Sequence, residues 1–85
     1  MKTFKMGNVN IIATRDPHTC TYLKWKLCEA TTGLSIMPSP WPQGYSADTL
    51  ANAMNLVQKF TIDKYGEAEI QRRVDDYVRK RNNEP

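Results

Sequence analysis

A strand-like half and a helix-like half of the chain meet in the segment Gly33-Leu-Ser-Ile-Met-Pro-Ser-Pro-Trp-Pro-Gln-Gly-Tyr-Ser46. It holds three of the five prolines, two of the four glycines and one of the two tryptophans. Because proline fixes φ and has no backbone N–H to donate, neither a central strand nor a helix runs through such a segment. We therefore interpret residues 38–45 as a connector between two kinds of structure.

The residues before the connector predict antiparallel strands. Residues 21–28 alternate between two faces, one with Leu23, Trp25 and Leu27 and the other with Tyr22, Lys24, Lys26 and Cys28. This alternation is typical of a half-buried strand with its lysines in water. Residues 9–14 and 34–37 predict two further short strands, and residues 3–6 would add an edge strand. We therefore predict a β-meander within residues 3–37, with three strands, or four if residues 3–6 also pair.

The residues after the connector predict two helices, 46–65 and 67–81. Apolar residues recur at helical spacing in two sets: Leu50, Ala53, Met54, Val57 and Phe60, then Ile70, Val74, Tyr77 and Val78. On one straight helix these sets would point roughly 130–140° apart, so we expect a break at Gly66 between them. Ser46 is the expected N-cap of the first helix. Residues 82–85 have nothing to bury and are expected to fray.

The order of these elements predicts the fold class. A sheet buries its apolar face only against another layer, so we expect the helices to cover one face of the meander. The predicted fold is α+β: a three- or four-stranded antiparallel β-meander followed by two α-helices packed on one face of the sheet. The 85 residues are enough for a single domain, 1–85, with one thin core.

Charge and cysteine usage bound the partners and the compartment. The formal net charge is +3, and all of the surplus lies in residues 1–30. Such a surplus permits nucleic acid or an acidic protein as partner and requires neither. On one extended strand Cys20 and Cys28 would lie about 27 Å apart, beyond the ~7 Å that a disulfide spans. Free thiols, together with an N-terminal part whose longest apolar run is residues 11–13, predict a cytoplasmic protein with no membrane partner.

Catalytic and metal motifs are sparse in the sequence. Asp16, His18 and Cys20 would project to the same side of an extended backbone, as three metal ligands would. Their spacing matches no known zinc pattern, and the stretch carries a strong turn signal at Pro17. A Cys–His nucleophile pair there would lack a third group to orient it. We therefore predict no catalytic, cofactor-binding or metal-binding residue and expect a protein that is not an enzyme.

The aromatic residues of the connector suggest a partner protein. A stiff, proline-flanked backbone presents Trp41, and Tyr45 follows it closely. Either Trp41 folds inward to complete a small core, or Trp41 and Tyr45 are exposed anchors, since such residues dominate interface hot spots. The leading hypothesis is a non-enzymatic protein-interaction module with these anchors and with Tyr22, Lys24 and Lys26 adding charge complementarity. Its general character is that of small accessory proteins encoded by phages or other mobile elements, acting on a host or self partner.

A nucleic-acid-binding protein is the alternative hypothesis. An aromatic and two cations in a row, Tyr22, Lys24 and Lys26, are the side-chain types that hold single strands by stacking and phosphate contact. Arg79, Lys80 and Arg81 would extend that contact from the end of the last helix, although they also complement its C-terminal dipole. An exposed strand edge would additionally permit a homodimer.

Overall fold

Three antiparallel strands form the sheet within the part of the chain that the structure describes. The computed structural model describes residues 2–18 and 23–83, and it contains β1 (Lys2–Met6), β2 (Val9–Arg15) and β3 (Trp25–Glu29) in the order β1-β2-β3. A two-residue turn joins β1 to β2, because Met6 pairs directly with Val9 and Gly7 adopts a φ of 61°. Glycine at the first turn position suits the tight turn that the twist of a hairpin requires.

The register explains which side of the sheet is buried. Phe4 pairs with Ile11, and Ala13 pairs with both Lys2 and Leu27, so alternate residues of all three strands share one face. This face is packed into the core together with residues of the helices and the connector: Met6, Val9, Ile11, Ala13, Leu27, Ile36, Ala47, Ala53, Leu56, Val57, Ile62 and Ile70. The opposite, outer face carries Lys5, Asn10 and Lys26, all of which are exposed.

The α+β fold is thus confirmed, but one predicted strand is wrong. Residues 2–6 form the strand that the sequence left optional, whereas residues 34–37 contribute only an isolated bridge between Ser35 and Cys28. Pairing continues as far as the bond from the Ile36 N–H to the Leu27 carbonyl at 3.2 Å. It stops there because the Leu27 N–H is bonded to the sulfur of Met37 at 3.4 Å and Pro38 has no N–H.

The first helical segment covers residues 50–65 and is not uniform. It consists of α1 (Leu50–Val57), a π-helical turn (Gln58–Ile62) and the single turn α2 (Asp63–Tyr65). It starts later than expected, because Thr49 is the N-cap and accepts a hydrogen bond from the Asn52 N–H at 3.1 Å. The hydroxyl of Ser46, the predicted cap, instead donates to the Asp48 carboxylate at 3.0 Å.

The second helix, α3 (Glu67–Asn83), begins directly after the predicted break. Gly66 has φ 84° and ψ 152°, a conformation open essentially to glycine alone, and it redirects the chain between α2 and α3. The Glu67 carboxylate lies against Gly7 and accepts a hydrogen bond from the Asn8 N–H at 3.3 Å. This contact ties the start of α3 to the tip of the β1–β2 hairpin. None of the helices in the described residues is both long and apolar enough to cross a membrane.

Candidate binding surface

An open groove of about 570 Å³ lies between the start of the connector and the helices. One wall consists of residues 34–40, and the other is supplied by the π-helical turn, α2 and α3. Its lining combines apolar, aromatic and charged side chains: Leu34, Ser35, Ile36, Met37, Pro38, Ser39, Pro40, Phe60, Thr61, Lys64, Tyr65, Ile70, Arg73, Asp76, Tyr77 and Lys80. Concave sites of this kind, mostly apolar with a few placed polar groups, are the usual form of a binding site.

A buried hydrogen bond fixes the wall formed by residues 34–40, which we call the connector wall. The hydroxyl of Thr61, in the π-helical turn, donates to the Ile36 carbonyl at 2.8 Å in the interior of the protein. Ile36 is itself buried, and Met37 and Trp41 pack partly against the same core. The wall is therefore held to both the sheet and the helices, and its prolines keep the intervening backbone stiff.

The periodicity of α3 explains which of its side chains line the groove. Ile70, Arg73, Tyr77 and Lys80 fall within about 80° of one another on an α-helix, so a single face presents all four to the groove. Ile70 is buried at the groove floor, whereas the Tyr77 side chain remains 37% exposed. The chemistry therefore changes along this face from apolar at the core to aromatic and cationic at the free end of the helix.

Both tyrosines that line the groove lie close to at least one cation. The Arg73 guanidinium is 4.7 Å from the centre of the Tyr65 ring, and the Lys64 ammonium is 5.3 Å from the same centre. Arg81 is 5.9 Å from the Tyr77 ring. Cations at these distances are attracted by the negative face of an aromatic ring. Of these cations, Arg73 and Lys64 line the groove, and their ring contacts keep them beside Tyr65.

An aromatic corner, formed by Trp41, Tyr45, Lys59 and Phe60, adjoins the groove through Phe60. The Tyr45 ring meets the Phe60 ring edge-on, with centroids 5.0 Å apart, and its hydroxyl accepts a hydrogen bond from the Lys59 ammonium at 3.0 Å. The Trp41 indole N–H donates to the Tyr45 carbonyl at 3.1 Å. Trp41 is half-buried against the core, whereas the Tyr45 side chain is 41% exposed. The corner thus combines a supporting tryptophan with an accessible tyrosine.

Ion pairs on α3 compensate some of the groove charges and leave others uncompensated. Glu69 accepts hydrogen bonds from Arg72 and Arg73, and these two guanidinium groups lower the pKa of Glu69 to about 2. Asp76 pairs with Arg72 at 3.0 Å and with Arg79 at 3.5 Å, both from outside the groove. Lys64 and Lys80 also line the groove, and neither has an acidic partner among the described residues. The groove therefore carries a positive charge that comes mainly from these two lysines.

The residues predicted from the sequence are distributed over different parts of this structure. Trp41 and Tyr45 are brought together at the aromatic corner. Lys26 is exposed on the outer face of the sheet, and Lys24 precedes β3 and is half-buried. Tyr22 lies outside the described residues. Arg79, Lys80 and Arg81 are exposed on the last turns of α3, and of the three only Lys80 lines the groove.

The stretch weighed as a metal site forms a turn at its described end. The Asp16 carboxylate accepts a hydrogen bond from the His18 N–H at 2.9 Å, and both residues are exposed. Cys20 lies outside the described residues, so the prediction that Cys20 and Cys28 form no disulfide stays a prediction. Within the described ranges no three His, Cys, Asp or Glu side chains are grouped as metal ligands would be.

Sequence reasoning missed the groove and four of its central residues: Lys64, Tyr65, Arg73 and Tyr77. Tyr77 belongs to the apolar set that predicts the second helix, because its spacing from Ile70 and Val74 is helical. The one feature of the sequence that indicated an exposed site here was the clustering of tyrosines with basic neighbours around the predicted helix break, at residues 64–65, 73 and 77.

No protein-family model, curated protein or solved structure matches the chain.

Proposed function

We propose that this chain is a small non-enzymatic protein-interaction module that binds a partner protein through the groove and the adjoining aromatic corner. The observation that carries the proposal is the open groove of about 570 Å³, whose walls are joined by the Thr61–Ile36 hydrogen bond while Tyr65 and Tyr77 stay 39% and 37% exposed. Tyrosines on a preorganised surface supply contact area at low entropic cost, and for that reason they are common in interface hot spots.

The aromatic corner supports the same proposal. Tyr45 is exposed but is already oriented by Phe60 and Lys59, so little side-chain freedom would be lost on binding. Trp41 has a supporting part in this arrangement, because it is half-buried and bonded to the Tyr45 carbonyl. The proposal includes a cytoplasmic accessory role of the kind found in phages or other mobile elements. Identification of the partner protein tests this part of the proposal.

Site-specific photo-cross-linking in the native cell tests the proposal. A benzophenone amino acid is introduced in place of Tyr65 or Tyr45, and in a control in place of Thr14, which is exposed on the outer sheet face. Irradiation is expected to give a discrete protein adduct from positions 65 and 45 and none from position 14. Equal adducts from all three positions, or none from any, would contradict the proposal.

Nucleic-acid binding through the outer sheet face is the second candidate function. It is favoured by the exposed ammonium groups of Lys5 and Lys26 on that face. Its signature is retention of DNA or RNA that falls steeply as salt rises, because neutralised phosphates release counterions. Irradiation of a nuclease-treated lysate separates the candidates, since protein adducts from positions 65 and 45 are then expected to persist.

A further inference from the structure

We infer that the groove recognises an acidic segment of the partner that carries aliphatic side chains among its carboxylates. The inference rests on the proposed function and specifies the chemistry of the occupant. Three observations support it: the positive charge of the groove, the cations that lie over the Tyr65 ring, and the apolar side chains of the connector wall. Each of these observations restricts the occupant in a different way.

The charge of the groove selects an anionic occupant. Three basic side chains and one acidic side chain line it, and the acidic one, Asp76, is already paired with Arg72 and Arg79. Arg73 shares the Glu69 carboxylate at 3.2 Å, which leaves Lys64 and Lys80 as cations without acidic partners among the described residues. Carboxylates of an incoming segment would complete these pairs, and they would also steer its approach.

The tyrosine rings favour a peptide over a single-stranded nucleic acid. Stacking of bases needs free ring faces, because the flat base lies directly on the aromatic surface. Two cations of the same protein already lie over the Tyr65 ring, with Arg73 at 4.7 Å and Lys64 at 5.3 Å from the ring centre. A carboxylate reaches these cations at the groove rim without displacing them from the ring, whereas a stacked base would have to displace at least one.

The connector wall adds the requirement for aliphatic side chains. Leu34, Met37, Pro38 and Pro40 supply apolar surface along it, and buried Ile36 and Ile70 close the floor. A purely acidic chain would leave this surface in contact with water. Side chains such as leucine between the carboxylates would cover it, at a gain of roughly 25 cal/mol for each Å² of apolar area removed from water.

Fluorescence anisotropy with three synthetic probes tests the inference directly on the full chain. The first probe is a short labelled peptide of alternating glutamates and leucines, the second replaces every glutamate by glutamine, and the third is a labelled oligo(dT). The acidic peptide is expected to bind at least about tenfold more tightly than the glutamine peptide or the oligonucleotide. Its affinity is expected to fall with added salt, as rim ion pairs do.

Two charge-reversal variants locate the binding. K64E/K80E reverses the two groove lysines, and K5E/K26E makes the same change in net charge on the outer sheet face; all four side chains are exposed, so folding should be retained. Affinity for the acidic peptide is expected to fall by about tenfold or more in K64E/K80E and by less than about twofold in K5E/K26E. A peptide with lysine in place of glutamate should regain affinity for K64E/K80E. Circular dichroism and melting temperature confirm that both variants are folded.

The outcomes separate this inference from the proposed function. Equal losses of peptide affinity in the two variants, or tighter binding of oligo(dT) through Lys64 and Lys80, overturn the inference. If position 65 cross-links to a protein but the acidic peptide does not bind, the groove is an interface and its occupant is not acidic. If the peptide binds as expected and no protein is cross-linked in the cell, the proposed function fails.

Discussion

Glu29 is the one acidic side chain buried in the described part of the structure, with 5% of its surface exposed. It lies at the end of β3 on the core side of the sheet, and the next turn of chain surrounds it with donors. The backbone N–H groups of Thr31 and Thr32 donate to its two oxygens at 3.0 and 2.8 Å, and both threonine hydroxyls donate as well. Burial raises the pKa of Glu29, but the four hydrogen bonds outweigh it, so that the pKa lies below 4.5.

Replacement of Glu29 by glutamine is expected to lower the free energy of unfolding by about 1–3 kcal/mol at neutral pH, because an amide cannot accept all four bonds. The depressed pKa means that the stabilisation by the carboxylate is complete above pH 4.5 and is lost as the pH falls through the folded-state pKa. The gap between wild type and E29Q should therefore narrow in acid. Urea denaturation at a series of pH values measures it, with D75N, an exposed carboxylate on α3, as the control.

Trp41 has a structural part that can be separated from any role in binding. It packs partly against the core, and its indole N–H holds the Tyr45 carbonyl at 3.1 Å. We expect W41A to cost about 2 kcal/mol of unfolding free energy, less than a fully buried tryptophan would, and W41F to cost clearly less than W41A. Thermal and urea unfolding give both values. A cost of W41A below about 0.5 kcal/mol would instead identify Trp41 as an exposed anchor.

At the scale of elements, Gly66 decides how α3 is placed on the molecule. A Cβ added at this position would meet no atom within 4 Å, so that a substitution there tests backbone strain without crowding. With φ at 84° and ψ at 152°, G66A is expected to destabilise the fold by about 1–3 kcal/mol. D-alanine at the same position, introduced by chemical synthesis, favours positive φ and should recover most of this loss. Equal costs of L- and D-alanine would contradict the strain argument.

The strands and the helix break were predictable because local patterns encode them. Leu23, Trp25 and Leu27 alternate with polar residues, and this pattern predicted a strand with the buried face that Leu27 occupies, although β3 begins only at Trp25 and Leu23 lies before it. Gly66 between two apolar sets of different phase predicted the break that the structure shows. The residues 34–37 look like a strand by the same criteria, but Pro38 and the Met37 sulfur end the pairing after Ile36. Where strand pairing ends here depends on tertiary neighbours, and that dependence leaves no periodic pattern in the sequence.

The π-helical turn could not have been predicted either. Its residues, Gln58–Ile62, are ordinary in a helix, and the extra residue per turn is visible only in the bond from the Asp63 N–H to the Gln58 carbonyl. The turn shifts the phase of the helix after α1, and in this arrangement buried Thr61 bonds to the Ile36 carbonyl while Phe60 meets Tyr45. Turns of this kind are frequent at functional sites, and here it supplies part of the groove wall.

At the scale of the whole molecule, the groove exists only because distant segments pack together. Residues 34–40 precede and begin the connector, whereas the helical residues from 60 to 80 follow it. The sequence shows the cations and the tyrosines separately but gives no register between the two walls. A candidate site of this kind becomes visible once the fold brings its walls into contact, whereas the Trp41–Tyr45 pair could be singled out from the sequence because its members are close in the chain.

Within the described residues, the core ends about two turns before the end of α3. Val74 is the last buried residue of α3, and the adjacent Tyr77 and Val78 are already 37% and 40% exposed. Arg79, Lys80 and Arg81 lie beyond it, and among the described residues Arg79 forms an exposed ion pair with Asp76 and Arg81 a ring contact with Tyr77. Exposed pairs of this type add little stability. The free end of α3 is therefore suited to binding rather than to holding the fold together.

A chain shortened after Val78 tests this division between the core and the free end of α3. We expect its unfolding free energy to change by less than about 1 kcal/mol, because the removed side chains that the structure describes, at residues 79–82, are all exposed. Its affinity for the acidic peptide should nevertheless fall by severalfold, because Lys80 is lost from the groove. The full-length variant R79Q/R81Q, which keeps Lys80, is the matched control and should bind nearly as well as wild type. If both the shortened chain and R79Q/R81Q lose binding, the effect comes from the total positive charge rather than from Lys80. A large loss of stability in the shortened chain would show that the core extends into the last turns of α3.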